Sequence, residues 1–172
     1  RAQTIVVNGV SKSYAMTGWR IGYAAGPKAV IRAMTAFQSH STSNPNSIAQ
    51  HAAAVALTNG EKFMHDSLVE FDARRRLMHQ LISEIPGLSA ALPKGAFYMM
   101  LNISALIGKS LNGRAIRGSD DFAEMLLESQ KVAVVPARAF GDDRYVRLSY
   151  ATSRDKITLG LARIAEFVKE LE

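Results

Sequence analysis

The sequence contains no cysteine, which removes disulfides and thiolate metal sites together. That absence suits a cytoplasmic protein, the location expected here. Long apolar runs are missing too: no stretch approaches the roughly 20 residues needed to span a bilayer. No basic-then-apolar leader with a small-residue cleavage site opens the chain. There is no P-loop and no serine in a nucleophile-elbow sequence. The four histidines, His40, His51, His65 and His79, fall at no metal-ligating spacing, so neither a metal site nor a hydrolase triad is expected. Basic clusters are equally scarce despite a net charge of +6. The one run, Arg74-Arg75-Arg76, lies in a helical pattern beside Glu70 and Asp72, so nucleic acid is not an expected partner.

What remains is an ordinary globular composition. The chain has 172 residues, 48% of them hydrophobic, enough for one domain or for a small domain plus part of another. Residues 4–7 and 21–25 read as short strands. Pro27 then opens a helix carrying Val30, Ile31, Met34 and Phe37 at helical spacing, and residues 38–47 read as a polar loop. Asn46 or Ser47 caps an alanine-rich helix that stops at Asn59-Gly60. The longest helix follows over 61–85, with Glu70–Arg74 and Asp72–Arg76 as favourable i,i+4 pairs. After Pro86-Gly87 the reading is a strand at 96–101, a loop over 108–118, and a helix capped by Ser119. Strands at 132–135 and 145–150 come next, then a final helix capped at Thr152 or Ser153. Alternating strands and helices make the class α/β or α+β. The expected division is residues 1–60 and 61–172, and the early strand suggests a chain that begins inside a larger protein.

Two positions carry chemistry on their residue types alone. Lys12 follows the first strand in a turn, and Arg20 comes eight residues later among glycines and aromatics. A lysine is ordinarily a solvated surface charge. To attack a carbonyl and form a Schiff base, its amine must lose a proton, which a neighbouring cation such as Arg20 favours. Gly18, Gly22 and Gly26 read as turns and close backbone contacts, not as a dinucleotide fingerprint. In Tyr145–Tyr150 the alternation sets Tyr145, Arg147 and Ser149 on one face, and Val146, Leu148 and Tyr150 on the other. Arginine in an apolar strand asks for a bidentate anion. A structural Asp or Glu and a ligand carboxylate both satisfy that demand.

The stretch Ser11-Lys12-Ser-Tyr-Ala-Met-Thr-Gly-Trp-Arg20-Ile-Gly-Tyr resembles the lysine region of class I aminotransferases. These are fold-type I enzymes that use pyridoxal 5′-phosphate, and the resemblance is to the aspartate aminotransferase-like branch. Ser43-Asn44-Pro45, Gly95-Ala96-Phe97-Tyr98 and Val146–Ala151 agree in order and rough spacing. The resemblance implies a PLP-dependent transferase fold of type I, with the end of the large domain at 1–60 and a small α+β domain at 61–172. It implies that Lys12 binds the cofactor as a Schiff base and moves the α-proton, and that Arg20 grips the cofactor phosphate, with Ser11 as a further cofactor contact. Arg147 is then the arginine for the substrate α-carboxylate, which would answer the anion question. Asn44 belongs to the loop that approaches the active site of the partner subunit in a homodimer.

Three positions depart from the family pattern. Gly9 stands where many relatives have a phosphate-binding serine, Ser39 where some have an arginine for a distal carboxylate, and Ala137 where glycine is common. The family's aspartate for the pyridine nitrogen would lie upstream of residue 1. The expected function is therefore amino-group transfer between an amino acid and a 2-oxo acid by the longer protein, with the 172-residue chain alone inactive or nearly so. Other pyridoxal phosphate chemistry of the lyase type, or a non-catalytic packing and dimerisation module, are the alternatives.

Overall fold

The computed structural model describes residues 3–172, and the chain divides into two compact units, the first ending at Leu68 and the second beginning at Val69.

The first unit opens with an antiparallel hairpin, β1 (Val6–Gly9) and β2 (Gly22–Ala25), registered from Val6↔Ala25 to Gly9↔Gly22. The strand expected at 4–7 is shifted, because pairing follows the register set by the Gly9–Gly22 neck. α1 (Lys28–Ser41) follows Pro27 and runs further than expected. Its polar end stays helical because the Ser39 hydroxyl donates back to the Ala36 carbonyl at 2.7 Å, and Thr42 N–H closes onto Gln38 at 2.9 Å. The polar loop thus shrinks to 42–46. α2 (Ser47–Asn59) is capped by Asn46, whose side chain accepts from Ala49 N–H at 3.0 Å. The only residues of α2 that are fully buried are Ala49 and Ala53. Gly60 joins α2 to α3 (Glu61–Ser83): its N–H closes α2 on Ala56 and its carbonyl accepts from Met64.

The second unit is a four-stranded antiparallel sheet with helices. The strands are β3 (Ser89–Ala90), β4 (Tyr98–Asn102), β7 (Val135–Pro136) and β8 (Tyr145–Ser149), in the order β3-β4-β8-β7. Two further strands, β5 (Ser110–Leu111) and β6 (Arg114–Ala115), form a separate hairpin. This hairpin replaces the loop expected over 108–118. Asn112 and Gly113, with φ of 50° and 78°, supply the left-handed pair that a tight two-residue turn needs. β4 starts later than expected because Ala96 is left-handed, at φ 59°. β7 is short and lies at the sheet edge, where Pro136 has no N–H to offer a further neighbour.

Val146, Leu148 and Tyr150 pack inward, as their alternation with Arg147 and Ser149 predicts. They meet Met78 and Ile82 of α3, Phe122 and Leu126 of α4 (Ser119–Gln130), and Leu161, Ile164 and Phe167 of α5 (Arg154–Lys169) in one apolar cluster. Phe122 and Phe167 pack edge to face, with ring centroids 5.4 Å apart. α5 is capped by Ser153, which accepts from Lys156 N–H at 3.3 Å. Ser119 does not cap α4. It is the first helical residue, and its N–H and hydroxyl both donate to Asp143, at 3.0 and 2.6 Å. The cap comes from a carboxylate 24 residues away, which local spacing cannot reveal.

Candidate active site

Three of the singled-out residues, Ser11, Lys12 and Arg20, share the connection between β1 and β2. This connection starts at Val10, which is fully buried. It then coils tightly: Tyr14 N–H donates to the Val10 carbonyl at 3.3 Å and Ala15 N–H to the Lys12 carbonyl at 3.2 Å. Lys12 therefore sits within a closed turn, exposed, with Ser11 half-buried beside it.

Arg20 ends the single helical turn Thr17–Trp19 in the left-handed region, at φ 51°. A non-glycine residue there is strained, and such strain persists where the surroundings hold it in place. Its Nη1 donates to the Thr17 carbonyl at 3.0 Å, and no ion pair to Arg20 is present among the described residues. The remaining guanidinium donors are open to an anion.

The neck beneath this turn is narrow. A Cβ at Gly9 would lie 3.2 Å from the Ile21 carbonyl oxygen, and one at Gly22 would lie 3.1 Å from that of Asn8. The two strands approach so closely that a serine at position 9 would have to push them apart. Asn44 is placed in a different connection, between α1 and α2. It is exposed, follows the left-handed Ser43 (φ 65°), and its amide donates to the Pro45 carbonyl at 2.8 Å.

Arg147 belongs to the second unit, on the sheet face opposite the apolar cluster. It pairs with Met100 on one side and Val135 on the other. Its guanidinium carbon lies 4.2 Å from the ring centroid of Tyr98 and 4.8 Å from that of Phe140. Both aromatic rings thus lie within cation–π distance of the guanidinium, whose planar fork of N–H donors suits a planar anion. Among the described residues no carboxylate forms an ion pair with Arg147, so the structural Asp or Glu left open by the sequence is not found there.

The motifs at 95–98 and 146–151 come together at this point. Tyr98 pairs with Ser149, Tyr150 N–H donates to the Phe97 carbonyl at 3.0 Å, and the Tyr150 hydroxyl donates to the Ala96 carbonyl at 2.9 Å. Burial pushes the Tyr150 phenol above its usual range.

Sequence reasoning missed Phe140 and the pair Ser119–Asp143. Phe140 closes the turn Arg138–Phe140. Ser119, fully buried, accepts from Arg138 N–H at 3.3 Å while donating to Asp143, so it ties the start of α4 to that turn. The hydrogen bonds from Ser119 hold the Asp143 carboxyl below its ordinary value. An exposed phenylalanine before a glycine was the only local signal.

A profile of the family described as "Aminotransferase class I and II" matches residues 1–164. The chain is 45% identical over 169 residues to an aspartate aminotransferase of Geobacillus stearothermophilus, a match that covers 98% of this chain and 42% of that protein. It is 44% identical over 170 residues to an aspartate/prephenate aminotransferase of Nitrosomonas europaea, covering 98% and 43%. Among solved structures, the aspartate aminotransferase from Rhizobium meliloti superposes with a TM-score of 0.93 at 44% identity, covering 99% of this chain and 43% of the other. The chain thus spans about two fifths of the length of the relatives it matches.

Proposed function

Because the chain belongs to the class I and II aminotransferases, we propose that the longer protein of which it is the C-terminal part moves an amino group between an amino acid and a 2-oxo acid. The observation that carries this reading is the shared connection of Lys12 and Arg20, which sets an amine and a guanidinium in one loop between β1 and β2. That donor set fits pyridoxal 5′-phosphate: the amine suits its aldehyde and the guanidinium its phosphate. When bound, the cofactor supplies the carbonyl that captures amines and a conjugated ring that draws electrons from the α-carbon.

The residues of this chain divide the remaining work. The Lys12 amine would hold the cofactor at its carbonyl carbon, and its Nζ would take and return the substrate α-proton. Arg20 holds the phosphate by charge-assisted hydrogen bonds, with the Ser11 hydroxyl as a further donor. Arg147, with Tyr98 and Phe140 beside its guanidinium, binds the α-carboxylate of the substrate. Asn44 contacts substrate from a loop that approaches the partner subunit of a homodimer. Residues 1–60 are assigned to the end of the cofactor-binding large domain and 61–172 to the small domain, in a cytoplasmic enzyme. Aspartate, named for the relatives, is the first amino donor to try.

Borohydride reduction of the full-length protein with pyridoxal phosphate, followed by peptide mapping, tests the reading. The expected result is a single reduced adduct on Lys12. A label on another lysine, or none, overturns it.

A further inference from the structure

Tyr14 stands two residues beyond Lys12, and nothing in the roles assigned above uses it. Its surroundings show how the Lys12 turn is held. The turn has two ends, joined by the hydrogen bond from Tyr14 N–H to the Val10 carbonyl. Val10 anchors one end by complete burial, whereas Lys12 and Ser13 between the ends are exposed. At the other end the Tyr14 ring is half-buried, and Ala15 beyond it is exposed and already turned into the left-handed region at φ 54°.

The ring rests on Gly60, at the junction of α2 and α3. A methyl group built on Gly60 would lie 2.6 Å from Cε1 and 2.9 Å from Cδ1 of Tyr14, well inside van der Waals contact, and would also strike the Ala56 carbonyl. The φ and ψ of Gly60, −86° and 8°, are open to any residue, so glycine is not needed there for its torsions. It is needed for space, part of which the tyrosine ring fills.

We propose that Tyr14, seated on Gly60, is the positioning residue for Lys12: it fixes the second end of the turn and so the direction in which the lysine side chain leaves the backbone. The inference rests on the role of Lys12 proposed above. An amine on a flexible four-carbon stem reacts well only when its base is fixed, since misplacement of about 1 Å costs on the order of 10²-fold in rate. Contact through Cδ1 and Cε1 means that the ring, not the hydroxyl, does the positioning.

The test uses the full-length protein with Tyr14→Ala and Tyr14→Phe. The first readout is the pH midpoint of the visible absorbance of the lysine-bound cofactor, which reports the geometry around Nζ. The second is the split between kcat and KM. Tyr14→Ala is expected to move the midpoint and to lower kcat by about tenfold or more with a smaller change in KM. Tyr14→Phe is expected to restore both. Should Tyr14→Ala fail to fold by circular dichroism, Tyr14→Leu, which keeps apolar volume but not the ring, is read by the same titration. A wild-type midpoint and kcat in the folded ring-less variant overturn the proposal, as does a Phe variant no better than that variant. Borohydride mapping separates the two layers. Reduction at Lys12 with an unaltered titration removes only the role of Tyr14, whereas reduction elsewhere removes the reading of Lys12 as well.

Discussion

The guanidinium carbon of Arg147 lies over the ring of Tyr98, 4.2 Å from its centroid, and 4.8 Å from the ring centroid of Phe140. A lysine placed here keeps the charge but loses the paired donors of the planar fork. In the full-length protein Arg147→Lys is therefore expected to raise KM for 2-oxo acids by about 10–100-fold, the equivalent of a lost charge-assisted hydrogen bond of roughly 1.5–3 kcal/mol. Tyr98→Leu, which removes one ring only, is expected to cost a few-fold. Steady-state kinetics against a 2-oxo acid series checks both; an unchanged KM in Arg147→Lys removes the carboxylate role.

Ser119 holds the turn that carries Phe140. Its hydroxyl is buried between Asp143, to which it donates, and Arg138 N–H, from which it accepts. Ser119→Ala removes the hydroxyl donor to the carboxylate, leaving the backbone N–H of residue 119, and is expected to destabilise the protein by about 1–2 kcal/mol, read as a lower urea midpoint at unchanged m-value. Asp143→Asn keeps an acceptor oxygen for the α4 N-terminus and is expected to cost less than Asp143→Ala. Equal losses from the two Asp143 variants would show that the cap is not what Asp143 contributes.

Acid is expected to loosen the second unit through Glu70. Its carboxylate receives Arg154 from α5 at 2.5 Å and Arg74 from its own helix at 2.7 Å, and these partners, Arg154 first, bring its pKa from 4.5 to about 2. A carboxyl lowered by folding stabilises the native state above its unfolded value, and that contribution fades as pH falls from about 4.5 towards 2. Asp121, held at about 2 by the side chain and N–H of Arg117, acts in the same direction. Thermal midpoints measured from pH 5 to 2.5 should fall more steeply for the native protein than for Glu70→Gln. The difference should shrink in high salt, because the pair is partly exposed. Parallel acid limbs for the two proteins would exclude the clamp.

Local chemistry was enough for much of this chain. Helix positions followed from apolar spacing, and the inward set Val146, Leu148 and Tyr150 from strand alternation, because each depends on neighbours within a few residues; residue type narrowed two caps to Asn46 or Ser47 and Thr152 or Ser153, and the structure uses Asn46 and Ser153. Lys12, Arg20 and Arg147 stood out in the same way, as charged groups in apolar or glycine-rich settings. The sequence also held the Asn112-Gly113 signal of the β5–β6 hairpin, although flanking polar residues masked it as loop. Only the tertiary structure decided what surrounds those groups. The aromatic contacts of Arg147 include Tyr98 of β4, the α4 cap arrives from Asp143, and the Lys12 turn leans on Gly60 through Tyr14. The Arg147–Tyr98, Ser119–Asp143 and Tyr14–Gly60 contacts link positions 49, 24 and 46 residues apart. Chain folding brings such partners together without leaving a period or spacing in the sequence to announce them.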